Sequence, residues 1–110
     1  MMHNSTVIVP CYNEAQRLNT EAFISNADKI KYNILFVNDG SSDDTISIIQ
    51  NICDQYPDRF NYLDLEKNAG KAEAIRQGAQ HLLKDSSVQY IGYLDADLAT
   101  PIQAMNNIVC

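Results

Sequence analysis

The chain has 110 residues, three cysteines and a formal net charge of −6. Its length suits one small domain with one modest core, and its acidic balance argues against a nucleic-acid partner, which needs lysine and arginine to neutralise phosphates. No apolar run nears the roughly 20 residues of a membrane helix, and the opening MMHNSTVIVPCYNE lacks the basic and apolar regions of a secretory signal, so the expected location is cytoplasmic.

Strand-like and helix-like patterns alternate along the chain. TVIVP, from Thr6 to Pro10, is a β-branched run ended by proline. AQRLNTEAFISNADKI follows with helical periodicity behind Asn13, a candidate cap, and Glu14, which would sit at the positive helix end. YNILFVN, from Tyr32 to Asn38, is a second apolar run, closed by the turn cluster DGSSDDT. Asp43 or Asp44 is placed to cap the next helix, where Ile46, Ile49, Cys53 and Tyr56 recur at helical spacing before Pro57. FNYLDLE alternates as a strand does, with Phe60, Tyr62 and Asp64 on one face and Asn61, Leu63 and Leu65 on the other. NAGKAEAIRQGAQHLLK puts Ala72, Ile75, Ala79 and Leu82 on one helical stripe. VQYIGYL is a fourth strand, and Thr100 with Pro101 signals another helix.

This order, β-α-β-α-β-α-β-α, predicts an α/β fold with a Rossmann-like parallel sheet and helices on both faces. Ligands of such sheets bind beyond the carboxyl ends of the strands. Four polar clusters fall at those ends: Tyr12, Asn13 and Glu14; Asp39, Gly40 and Ser41; Asn68, Gly70 and Lys71; Asp95 and Asp97. Their shared rim is the strongest functional signal in the chain.

Each cluster has a chemical reading beside a structural one. Asp95 and Asp97 lie two apart, so an extended backbone aims both carboxylates to one side, as a hard cation such as Mg²⁺ or Mn²⁺ requires. Read structurally, they make a solvated loop with a helix-capping acid. Asp39 can accept hydrogen bonds from a base or ribose beside a glycine free to take positive φ, or simply form an Asp-Gly turn. Tyr12 can pack beside a base, with Asn13 and Glu14 orienting it. Lys71 follows a glycine at a helix start, where free N–H groups favour phosphate. The segment is neither a P-loop nor a G-x-G-x-x-G fingerprint. His3, His81 and Arg76 read as surface residues. Cys11, Cys53 and Cys110 have neither disulfide nor zinc spacing and read as packing residues or free thiols.

VIVPCYNE, ILFVNDGSSDDT, NAGKAEAIRQG and YLDADLATP, in this order, resemble the donor-binding half of family-2 glycosyltransferases with a GT-A fold. The resemblance runs from Thr6 to about Ile108. NAGKAEAIRQG with DADLATP looks most like the branch that glycosylates polyprenyl phosphates, such as dolichyl-phosphate glucosyl- and mannosyltransferases. It implies transfer of a sugar from a UDP- or GDP-sugar to an acceptor, a polyprenyl phosphate or a glycan. Pro10, Tyr12, Asn13, Glu14 and Asp39 would form the nucleoside side of the site. Lys71 would lie near the donor, and Asp95 would contact the ribose or sugar side. Asp97, with Asp95, would hold a Mg²⁺ or Mn²⁺ bound to the diphosphate.

One departure is Ala72-Glu73 after Lys71, where relatives often carry a further glycine. Glu73 adds a negative charge near the expected phosphates. Residues 1–110 are expected to be the nucleotide-sugar-binding part of a longer enzyme. The acceptor half and its general base would lie beyond Cys110, and membrane association would belong to the full-length protein. The strand near Tyr90 would then be an open edge through which copies self-associate. The competing readings are a non-catalytic nucleotide-binding fragment and a metal-dependent nucleotidyltransferase. The latter usually carries a glycine- and basic-rich loop after its first strand, which PCYNEAQRL is not.

Overall fold

The computed structural model describes residues 5–85, 88–94 and 96. Its four strands are β1 (Ser5–Cys11), β2 (Asn33–Asp39), β3 (Phe60–Leu65) and β4 (Tyr90–Tyr93), and its helices are α1 (Thr20–Ser25), α2 (Thr45–Gln55) and α3 (Lys71–Leu82). All strand pairs are parallel, in the order β3-β2-β1-β4. The alternating sequence pattern thus gives the expected sheet. The helix expected from Pro101 lies outside the described residues.

Register decides which face each side chain serves. Val7 stands beside Ile34, Val9 beside Phe36, and Ile34 beside Phe60. This row points to one face, where Phe23 of α1 and Ile49 and Ile52 of α2 close a core. Phe23 meets Phe36 edge-on at 5.1 Å between ring centroids, and Phe36 lies 6.0 Å from Phe60. Such tilted geometry suits the ring quadrupoles. The alternate row of Ile8, Leu35 and Val37 packs against Ala74 of α3, with Leu63 and Leu65 half-buried beside it. Both faces of β1 and β2 are therefore covered, which explains their continuous apolar runs.

Two local expectations are corrected. The first helix begins at Thr20, not just after Asn13, and Asn19 caps it by accepting from the Ala22 amide at 3.1 Å. Asn13 instead has φ 51°, in the left-handed region, where a helix cannot start. Glu14 consequently belongs to a turn whose carbonyl accepts from the Arg17 and Leu18 amides. On α3, the fully buried residues are Ala74 and Gly78, while Ala72 is exposed. Gly78 sets the helix-to-sheet distance. A Cβ there would stand 3.0 Å from Val37 Cγ2 and 3.3 Å from Ile8 Cδ1.

Candidate functional site

The sheet's order reverses between β1 and β4, because the chain leaves β1 toward β2 on one side and returns to β4 on the other. A crevice opens at such a point, beyond the carboxyl ends of the strands. Pro10 helps to open it. The Ile8 carbonyl accepts from the Leu94 amide at 2.9 Å, so Ile8 turns its polar backbone toward β4. Pro10, two residues on, faces the same way and has no N–H to donate. The β1–β4 ladder ends with Ile8 beside Tyr93, while β1 continues against β2 to Cys11.

A cavity of about 500 Å³ occupies this crevice. Pro10, Tyr12, Glu14, Asp39 and Lys71 all line it, together with Cys11, Arg17, Asn68, Gly70 and Ala96. Five of the expected site residues are thus brought together from three strand ends. Asn13 does not line it. Asp95 and Asp97 lie outside the described residues, although Ala96 between them is buried against the cavity. Among the described residues, no three acidic, histidine or cysteine side chains gather as a metal-holding group.

The loop after β1 is docked on the start of α2. The Asn13 amide donates to Ser41 Oγ at 3.0 Å, and Asn13 Oδ1 accepts from the Ser42 amide at 2.8 Å. Thr45 Oγ1 accepts from the Glu14 amide at 2.9 Å. Asp44 occupies the α2 cap position without a side-chain bond, and Asp43 Oδ1 accepts from the Thr45 amide at 3.0 Å in its stead. Asp43 Oδ2 also accepts from the Ala15 amide, and these bonds, led by the one from the Thr45 hydroxyl, hold its carboxyl below the usual range. The acidic turn thus serves the fold, and what it positions is Tyr12 and Glu14.

Tyr12 is 46% exposed although it lines the cavity. Glu14 Oε1 accepts from the Arg17 guanidinium at 3.0 Å. Its Oε2 is buried and has no hydrogen-bond partner among the described residues. A buried carboxylate oxygen without a donor is costly, and this one stands out among the described residues.

Asp39 is 2% exposed, and its carboxylate holds the loop between β3 and α3. Oδ1 accepts from the Ala69 amide at 2.8 Å, and Oδ2 accepts from the Gly70 amide and from Asn68 Nδ2, both at 3.0 Å. Asn68 Nδ2 also donates to the Asp39 carbonyl at 3.1 Å. Gly40 makes this approach possible, with φ 62° as its place in the turn predicted. A Cβ on Gly40 would stand 2.2 Å from the Asn68 nitrogen and 2.4 Å from the Lys67 carbonyl carbon. Only glycine fits both the backbone angle and the space.

Lys71 is the first residue of α3, and its Nζ stands 5.6 Å from the centroid of the Tyr93 ring, within cation–π range. The negative charge of Glu73 does not stand unscreened beside it. Arg76 donates to Glu73 through Nε at 2.7 Å and again through its terminal nitrogen, and Gln77 donates at 3.0 Å. The Arg76 bonds, then that from Gln77, pull the Glu73 carboxyl down to about 2. Cys11 is buried in the cavity wall, and burial, then the charge of Glu14, pushes its thiol up to about 12. Cys11 and Cys53 are free, buried thiols, as expected, whereas Cys110 lies outside the described residues.

Arg17 and Asn68 are the site residues whose roles sequence reasoning missed. Arg17 carried no signal in the helical pattern of its segment, and only the structure brings it to the cavity wall and to Glu14. Asn68 carried a legible signal, an asparagine immediately before the glycine of a strand-to-helix turn.

The chain matches the glycosyl transferase family 2 over residues 6–109. It is 39% identical over 95 residues to a poly-beta-1,6-N-acetyl-D-glucosamine synthase of Staphylococcus aureus (strain COL), covering 84% of this chain and 21% of that protein. A mannosyltransferase of Pyrobaculum calidifontis, solved in complex with GDP-Man and Mn²⁺, superposes with a TM-score of 0.66 at 25% identity, over 88% of this chain and 28% of that one. Residues 1–349 of S. aureus TarS superpose with a TM-score of 0.60 at 23% identity, over the same 88% of this chain and 28% of that one, a likeness of fold. The chain spans 21% of the length of the curated relatives it matches. With its parallel sheet and the cavity at its strand ends, the chain belongs to glycosyl transferase family 2.

Proposed function

We propose that these residues form the donor-binding part of a glycosyltransferase, which takes a sugar from a UDP- or GDP-sugar to a glycan or polyprenyl-phosphate acceptor. The observation that carries this reading is the cavity at the β1–β4 crevice, with Tyr12, Glu14, Asp39 and Lys71 on its walls and a buried, unpaired carboxylate oxygen on Glu14. Tyr12 offers a ring face to the base, beside Pro10. Glu14 Oε2 accepts a hydrogen bond from the nucleoside, and Asp39 receives the base or ribose. Asn13 acts one step back, fixing the loop that presents Tyr12 and Glu14. Lys71 and the amides at the start of α3 face the diphosphate.

A divalent cation, Mg²⁺ or Mn²⁺, would supply charge neutralisation of the leaving nucleoside diphosphate. Asp97 and Asp95 are hard oxygen ligands of the right kind, and buried Ala96 between them lines the cavity. The described residues offer no other acidic cluster for it, so phosphate oxygens and water would complete the set. The complex of the Pyrobaculum mannosyltransferase with GDP-Man and Mn²⁺ supports this choice. The staphylococcal relatives, named poly-beta-1,6-N-acetyl-D-glucosamine synthases, support a glycan acceptor. The NAGKAEAIRQG and DADLATP motifs speak for a polyprenyl phosphate. The acceptor side and general base are assigned to the parts of such relatives that these residues do not match. Copies associate through β4, an edge strand in the described sheet with Tyr90, Ile91 and Tyr93 exposed; light scattering that finds only monomer at high concentration would refute this.

The test is calorimetric titration of UDP, GDP and CDP, with and without Mn²⁺, on the protein and on Asp97→Ala. One base should bind with metal and lose that binding in the variant. Absence of all three from a folded sample would sink the donor-site reading. The 110 residues alone are expected to bind nucleotide without transferring sugar.

A further inference from the structure

The carboxylate of Asp39 has two addresses at once. Asp39 lines the cavity, and its carboxylate holds three donors of the β3–α3 loop, from Asn68, Ala69 and Gly70. A carboxylate has about four acceptor sites, so three are occupied and one on Oδ1 is left for a ligand. The loop ends where Lys71 begins α3. Asn68 stands at the centre of this joint, since its side-chain nitrogen bridges the carbonyl and Oδ2 of the same aspartate.

The joint is rigid for a second reason. Gly40, the next residue, packs directly on the Lys67–Asn68 peptide, so the turn after β2 and the turn after β3 move together. Anything that pulls Asp39 toward the cavity pulls on the amides of Ala69 and Gly70, and through them on the start of α3.

We infer that Asn68 is a positioning residue which sets Asp39 for the nucleoside and, through the same bonds, couples nucleoside binding to the placement of Lys71. This rests on the donor-site reading above and adds a coupling to it. The nucleoside end and the phosphate end of the donor are then read by one linked unit. A ligand donor on the last acceptor site of Asp39 fixes the carboxylate in place, and the three loop donors bonded to it are held with it, so the loop is ordered without direct contact with the ligand. Asn68 is itself exposed, so its replacement by alanine removes two hydrogen bonds without opening the core.

Amide exchange and binding test this without sugar transfer. The probes are uridine and guanosine beside UDP and GDP, the pair being chosen by whichever diphosphate binds. Saturating nucleoside, which has no phosphate, should slow exchange at the Ala69 and Gly70 amides. Asn68→Ala should weaken the nucleoside roughly tenfold, as for bonds to a charged acceptor, weaken the diphosphate by a larger factor because Lys71 loses its placement as well, and abolish the slowing; an equal factor on both ligands would overturn the coupling. Lys71→Met should weaken the diphosphate and leave the nucleoside unchanged. Asn68→Ala that affects only the diphosphate would overturn the coupling, as would nucleoside binding with no change at the two amides. Loss of all binding in the folded wild type would overturn the donor site as well, and that result is distinct from binding indifferent to Asn68.

Discussion

The two faces of this sheet are built on different scales. Under α1 and α2 lies a thick layer of rings and branched chains, with Phe23, Phe36, Phe60 and Tyr32 fully buried. Under α3 the layer is thin: Ala74 and Gly78 bring the helix backbone down on Ile8 and Val37. Burying one large apolar side chain stabilises by roughly 1.5–3 kcal/mol, so the first face carries most of the stability. The second trades side-chain volume for proximity and sets α3, with Lys71 at its tip, close against the strand ends. A small domain can thus keep most of its stability on one side while a close-packed helix on the other fixes where Lys71 stands.

That contrast can be broken at its strongest point first. Phe36→Ala should cost about 3–5 kcal/mol in chemical denaturation; a loss below about 1 kcal/mol would mean the thick face is not the main support. Gly78→Val should cost less, about 1–3 kcal/mol, because overpacking lifts α3 away from Val37 and Ile8. It should also weaken nucleoside diphosphate binding through Lys71, an effect Phe36→Ala lacks at temperatures where it remains folded.

The thiols sharpen the comparison more gently, since Cys11 and Cys53 both belong to the thick face. In a Cys110→Ser variant, a thiol reagent at pH 8 should label both at least ~100-fold more slowly in the native state than in urea. The folded Cys11 thiol keeps its proton up to about 12, against 9.0 when unfolded. Its stabilising contribution is therefore complete below pH 9.0 and is lost as pH rises from there toward about 12. A urea midpoint less sensitive to pH in Cys11→Ala than in the parent over that window checks the sign. The smallest effect belongs to the thin side's outer surface, where Glu73→Gln should leave the melting temperature unchanged within error.

The sheet was legible because β-branched and aromatic runs alternate with helical spacing, and both faces of the central strands are buried. The face assignment of FNYLDLE held for the same reason: Phe60 joins the thick face, while Leu63 and Leu65 join the other. The cavity wall was legible in Tyr12, Glu14, Asp39 and Lys71, since polar residues at strand ends face the crevice or solvent, whereas Pro10, inside β1, was marked only by the family resemblance. What failed was local inference about loops fixed at a distance. Asn13 reads as a helix cap, yet its partners are Ser41 and Ser42, nearly thirty positions on. Asp39 reads as a turn residue open to a ligand, yet most of its carboxylate belongs to Asn68, Ala69 and Gly70. The stripe on α3 was legible in Ile75, Ala79 and Leu82, which pack half-buried against the sheet, but not in its centre, where Ala74 and Gly78 are the buried residues and Ala72 is exposed.

Pro10 carries a kinetic consequence. The strand beside the crevice has no amide there with which to recruit its neighbour, so the gap between β1 and β4 cannot zip shut when the site is empty. On the β1 side, an arriving molecule meets an entrance held ajar by a covalent ring. Association should then follow a single exponential whose rate rises linearly with ligand concentration, with discrimination among ligands expressed in how long each one stays.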